Sequence, residues 1–418
     1  MILRILLIFL FVFGISYAGD ATIEVIKKVE SLPSIAVEDS SISYDNTFKD
    51  SFFKTIIADL NVLSLFNVDR HHRKTHFNDT SVMVENKDMD YVLRYKMFQD
   101  DVGALNIELK LINKEKIVLT KQYKINRKNV FMFVAHTIAY DINEFMQAPS
   151  VEWMKRRVIF SRVVAPQKTE IVISDYTLAY QHTVIKGGFN IFPKWANKNQ
   201  DAFYYTSLDS KKPTLKHVNI KTGKSKSIIS SDGMMVCSDV SRDSNRLLLT
   251  MAPDGQPDVY LYDVASAQSK KLTNYGGIDV NGQFLDDETI VFVSGRLGYP
   301  NIFSKKIGSR SVEQMVYYGK SNSASSTFGD YIVYKSRESS NAFSANTFNL
   351  HLISTKTDFI RRLTATGVNE FPKFSIDGDA ILFIKNYKSQ SSIGIIRLNH
   401  NKNYLFPLKY GRLQAMDW

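Results

Sequence analysis

Three histidines lie close together in Asp69-Arg70-His71-His72-Arg73-Lys74-Thr75-His76, and neighbouring imidazoles are common ligands of a divalent metal. Arg70, Arg73 and Lys74 stand among them, however, and three cations oppose a dication, so the segment reads as a solvated loop. Asp286-Asp287-Glu288 offers carboxylates, but general acid–base chemistry needs a second, separately placed group. Between two apolar runs it reads as a turn. Ser375-Ile376-Asp377-Gly378 sets glycine directly after aspartate, which is hairpin chemistry because both residues tolerate positive φ. No Gly-x-Ser-x-Gly elbow occurs. We therefore expect no catalytic residues, no metal and no cofactor.

These segments belong to a repeat. Trp195, Val240, Phe284, Phe374 and Trp418 follow one another at intervals of 45, 44, 90 and 44 residues, and the long interval holds a degenerate copy near Phe328. Phe192-Pro193-Lys194-Trp195 and Phe371-Pro372-Lys373-Phe374 are the clearest copies. After each anchor come a polar turn and an apolar strand, such as Leu247-Leu248-Leu249 or Ile381-Leu382-Phe383-Ile384. Two further strands follow, the last marked by Lys271-Leu272-Thr273 or Arg362-Leu363-Thr364. Four short strands in about 45 residues are the signature of a propeller blade. Ala415-Met416-Asp417-Trp418 opens a unit whose continuation stands upstream at Arg157-Val158-Ile159-Phe160-Ser161, so the expected fold is a six-bladed propeller closed by the C-terminal strand.

Ahead of the propeller the period changes. Ser34 to Val37 reads as a strand, and Phe48, Phe52, Ile56, Leu60 and Leu63 recur at helical spacing. Leu105, Ile107, Leu109 and Leu111 alternate as in a half-buried strand, and a second strand follows through Ile117 to Ile125. A second helix is expected after Asn129 as cap, with Val130, Val134, Ile138, Ile142 and Phe145 on one face. The expected organisation is a signal peptide over 1–18, a partner-binding segment over 19–31, an α/β domain over 32–149 and the propeller over 150–418. Arg4, the apolar run Ile5 to Phe13 and Ser16-Tyr17-Ala18 are the marks of the signal.

An exported chain with Cys237 as its single cysteine relies on its core rather than on disulfides. A formal charge of +11 fits a basic surface or an acidic partner. Nucleic acid is excluded by export and by the lack of a basic stripe interleaved with aromatics. The other functional class that this architecture admits is an exported propeller enzyme, a lyase or glycosidase using the central channel. That reading needs histidines or paired acids at the mouth.

The order of domains, with Ile57-Ala58-Asp59-Leu60, Phe66-Asn67, Lys124-Ile125-Asn126, Arg157 to Ser161 and Phe371 to Gly378, resembles the TolB family, the periplasmic component of the Tol–Pal system. Trp195-Ala196-Asn197-Lys198 departs from the blade pattern, having lost Ser-Pro-Asp. The resemblance implies a monomeric periplasmic binding protein without enzymatic activity, held at the envelope membranes through its partners. It implies contact with the Pal lipoprotein through loops ahead of the inner strands, and a role in outer-membrane integrity and constriction at division. Carried onto this chain, the Pal-facing residues are Phe189, Asn190, Met234, Met235, Asp279, Val280, Asn369, Glu370, Arg412 and Leu413, with Asn322 and Ser323 in the degenerate unit. The C-terminal domain of TolA would take Thr22, Ile23, Glu24, Val25 and Ile26 by strand addition.

Overall fold

The computed structural model describes residues 31–41, 46–125, 130–338 and 347–418. Ser34–Asp39 pairs in parallel with Tyr91–Gln99, and the sheet continues antiparallel through Leu105–Asn113 to Lys116–Ile125. Leu105, Ile107, Leu109 and Leu111 all face inward, as their alternation requires. The edge strand alternates less cleanly because its register slips, with Leu111 opposite Leu119 but Ile112 opposite Ile117.

Helix α1 spans Asn46–Leu63 and buries Phe52, Ile56, Leu60 and Leu63 along one face. Helix α2 spans Met132–Phe145, with Phe131 at its cap position and no side-chain cap, while Asn129 lies outside the described residues. Its buried face runs through Ala135, Ile138, Ala139 and Ile142, so Val134 is only half-buried and Phe145 is exposed. The expected face was rotated because it gave no weight to alanines, which let α2 approach α1 closely. It also missed His136, which is fully buried.

The rest of the chain forms antiparallel four-stranded units. Their inner strands are Asn190–Trp195, Met235–Val240, Asp279–Phe284, Lys320–Phe328, Val368–Phe374 and Arg412–Asp417. Two of these units share one sheet through a single parallel contact, Phe348 with Val368. Arg412–Asp417 pairs with Val158–Ala165, setting Met416 opposite Phe160. Among the described residues each inner strand touches the next, and Arg412–Asp417 touches Asn190–Trp195 in turn.

The motif residues act as pegs. Ser375 Oγ accepts the Ala380 N–H at 3.0 Å, closing the turn after the anchor, and Ser241 Oγ accepts the Arg246 N–H at 2.9 Å in the same way. Gly378 in that turn has φ +77°, and a Cβ there would lie 2.2 Å from the Phe328 ring. In the Leu-Thr signature, the leucine is buried and the threonine hooks the third strand. Thr273 Oγ1 donates to Asp258 at 2.9 Å and accepts the Val259 N–H at 3.0 Å, and Thr364 repeats this with Asn349 and Leu350 at 3.1 and 2.9 Å.

The helices are locked onto the propeller through a continuous core that includes Trp153, Tyr176 and Phe406. Arg397 donates to the carbonyls of Val62 and Leu63 at 2.9 and 3.1 Å, at the C-terminal end of α1 where unpaired carbonyls face a cation favourably. Tyr404 donates to the Asn61 carbonyl at 2.6 Å. His136 bonds Asp59 of α1 at 2.8 Å and Asp175 of the propeller at 3.2 Å, and Tyr176 donates to the other oxygen of Asp59. Burial opposes charge on His136, but Asp59 and Asp175 outweigh it and raise its pKa to about 10.

Candidate functional site

Every inner strand breaks register with its neighbour near mid-length. The breaks fall between Ile191 and Lys194, Cys237 and Asp239, Val280 and Gln283, Glu370 and Lys373, and Leu413 and Ala415, and twice between Lys320 and Ser326. A bulge re-aims side chains out of the ladder. Phe192, Asn281, Ala324 and Phe371 take φ of 52°, 56°, 50° and 50°, a region that costs energy for any residue with a Cβ. Pro193 and Pro372 fit here because a broken ladder asks for no N–H donor. This is the physical content of the repeated Phe-Pro-Lys: it turns two phenylalanines and two lysines toward the channel.

The first result is an apolar cavity of about 310 Å³, lined by Phe192, Met234, Val236, Val280, Phe371 and Met416. The Phe192 and Phe371 rings approach to 6.4 Å between centroids. A volume of that size takes a few side chains or one small molecule. At the opposite mouth a polar cavity of about 530 Å³ is lined by Arg156, Lys198, Arg242, Asp286, Asp287 and the Trp195 and Trp418 rings.

Lys194 and Lys373 line both cavities and so stand at the waist between them. Lys194 Nζ lies 3.1 Å from Asp239 and 2.9 Å from Asp417. Burial works against its charge, but the two carboxylates prevail and push its pKa up. Burial, and then the Lys194 charge, bring Lys373 down to about 8. Cys237 also lines the apolar cavity, but burial pushes its thiol up, which makes it a packing residue rather than a nucleophile.

The residues expected ahead of the inner strands divide into two groups. Met234 and Val280 line the apolar cavity, as does Ser323. Phe189 stays half-exposed and does not line the cavity, its N–H held by Asp209 at 2.8 Å. Arg412 is exposed, and Glu370 is half-buried in an ion pair with Lys335 at 3.1 Å.

Asn190, Met235, Asp279, Asn369 and Leu413 are instead turned into the blades, as is Asn322. Asn190 donates to the Gly187 carbonyl at 2.8 Å, Asp279 pairs with Arg296 at 3.0 Å, and Asn369 donates to the Phe348 carbonyl at 2.9 Å. Met235 packs between blades with Leu249 and Met251. At Met234–Met235 and Asp279–Val280 strand alternation divides the pair, one side chain lining the cavity and its neighbour turned into the blade.

The segment Thr22, Ile23, Glu24, Val25 and Ile26 lies outside the described residues. Of the histidines, His71 bonds Asp69 at 2.6 Å while His72 bonds Asp39 at 3.1 Å and stacks on Phe53, so the two serve different carboxylates. Asp286 accepts the N–H groups of Glu288 and Thr289 at 2.8 and 2.7 Å, as a turn residue does.

Comparison with known proteins agrees with this architecture. The family model described as the TolB beta propeller domain matches residues 153–418. The Tol-Pal system protein TolB of Wolinella succinogenes is 48% identical over 99% of this chain and 100% of its own length. Its counterpart from Campylobacter jejuni strain RM1221 is 43% identical, covering 99% and 100%. Among solved structures, TolB from Acinetobacter baumannii superposes with a TM-score of 0.72 at 18% identity, covering 93% of this chain and 98% of that one, which shows a shared fold. The N-terminal α/β region followed by a strand-rich propeller, together with these full-length likenesses, establishes that the chain belongs to the TolB family of the Tol–Pal system.

Proposed function

We propose that this protein is a monomeric periplasmic scaffold that binds the Pal lipoprotein at the apolar mouth of its propeller and the C-terminal domain of TolA through residues 19–31, released from a signal peptide over 1–18. In this reading the α/β domain covers 32–149 and the propeller 150–418, and the protein serves outer-membrane integrity and constriction at division. The observation that carries the Pal reading is the strained, apolar mouth. Phe192 and Phe371 hold costly backbone conformations, and strain of that kind clusters at ligand-binding sites. Met234, beside them, is a flexible and exposed contact.

A binding rather than an enzymatic role is supported by the channel carboxylates. Asp239 and Asp417 each hold Lys194 and also accept a backbone N–H, so neither is free for acid–base work. Titration calorimetry with the soluble domain of Pal from the same organism tests the mouth. Phe192→Ala with Phe371→Ala should weaken binding without unfolding the chain, and native affinity in the folded double variant would move the site elsewhere. Removal of 19–30 should abolish TolA binding and spare Pal. Full TolA binding by the truncated chain, and by Glu24→Pro and Val25→Pro variants, would overturn the strand-addition reading.

A further inference from the structure

Lys194 and Lys373 occupy the same place in two copies of Phe-Pro-Lys, yet their surroundings differ. Lys194 has two carboxylates, whose second oxygens are taken by the Phe284 and Trp195 N–H groups, each at 2.9 Å. Lys373 donates to Gln283 Oε1 at 3.3 Å, and among the described residues no carboxylate stands within ion-pair distance of it. Gln283 is not free to improve on this. Its Nε2 donates to the carbonyls of Ser238 and Gly282 at 2.8 and 2.9 Å, which fixes the amide. An ammonium carries three donors, and here one of them makes a single long bond to a neutral oxygen. Lys373 is thus a cation at the floor of an apolar cavity, beside a second lysine, with donors left over.

We infer that this floor is an anion-recognition subsite, and that its occupant is the carboxylate of an acidic side chain on the partner segment that enters the mouth. The inference rests on the mouth being the protein-docking site, and it adds the chemistry of what must reach the bottom. A carboxylate at Lys373 completes the donor set, and apolar residues flanking it fill the space among Phe192, Val280, Phe371 and Met416. A basic residue there would add repulsion at a site where only Asp239 and Asp417, already bound to Lys194, offset the two lysines. The empty subsite holds Lys373 near a pKa of about 8, and an arriving carboxylate raises it. Binding above pH 8 therefore takes up a proton, and affinity falls as pH rises.

The test is calorimetry of the mature chain with the soluble domain of Pal from the same organism, between pH 7 and 9.5, in buffers of differing ionisation enthalpy. Lys373→Met should weaken binding about 30-fold or more and abolish proton uptake, as loss of one partner of a desolvated charge pair does. Lys373→Arg should restore part of the affinity without the pH dependence. Free Lys373→Met should melt no lower than the parent chain, because the substitution removes a poorly paired buried cation. Parent-like affinity in Lys373→Met, with binding still weakened by Phe192→Ala, would sink the subsite and leave the mouth reading intact. If Pal binds but Phe192→Ala and Lys373→Met both leave the affinity unchanged, or if Pal does not bind at all, the mouth reading and this inference fall together. Binding of inorganic phosphate that depends on Lys373, combined with unchanged Pal affinity in Lys373→Met, would identify a free anion as the occupant and overturn the proposal.

Discussion

Asp417 accepts the backbone N–H of Trp195 at 2.9 Å, so the penultimate residue of the chain pins the anchor of the first complete repeat. The same bond recurs between Asp239 and the N–H of Phe284, also at 2.9 Å. An aspartate just before one anchor thus reaches the anchor of the next unit. In the Asp417 case the bond crosses between the two ends of the propeller chain.

Asp417→Ala should therefore destabilise the propeller by about 3 kcal/mol, since it removes a buried partner from Lys194 and leaves the Trp195 N–H unpaired. Deleting Ala415 to Trp418 should cost more, because the strand pairing with Val158–Ala165 goes too. Urea unfolding measures both, and an unchanged midpoint in the deletion would refute the role of this strand.

His136 predicts a pH dependence. Its folded pKa of about 10 exceeds the ordinary value of 6.5, so the folded state retains a proton that the unfolded chain releases. The stability contributed by the network is complete below about pH 6.5 and is lost as pH rises through about 10. His136→Gln should leave Asp59 and Asp175 facing each other without the cation, costing about 3–5 kcal/mol at pH 6. Its unfolding free energy should also lose slope between pH 7 and 10, and a parent-like slope would exclude His136 as the source.

Arg397→Met tests the lock between helix and propeller. It removes the bonds to Val62 and Leu63 and leaves Asp379, its partner at 2.8 Å, without its cation. A loss of about 3 kcal/mol is expected. Hydrogen exchange should show protection falling first at Leu60 to Leu63, and uniform loss across the propeller would argue against a local lock.

The adjacent methionines separate binding from packing. Met234→Ala should weaken Pal binding with little change in stability, since the side chain is 47% exposed at the mouth. Met235→Ala should do the reverse, costing about 2–3 kcal/mol while sparing affinity in the folded fraction. Calorimetry and unfolding of the pair would reveal an exchange of roles at once.

The sequence by itself determined the repeat, the polar turns, the Leu-Thr signature and the change to helical spacing ahead of the propeller. Each is a local pattern, written by strand alternation and turn chemistry within a few residues. The pairing of the last strand with Val158–Ala165 was legible for the same reason, because one unit was split between two places in the chain. Tertiary structure alone decided which residues of each inner strand face the channel. That depends on bulges with positive φ in the inner strands, so Phe192 and Phe371 read in sequence only as repeat markers. It alone also joined Asp59, His136 and Asp175, and Lys194 with Asp239 and Asp417. Those groups are far apart along the chain, and a charge acquires its partner and its pKa only when folding removes water from between them.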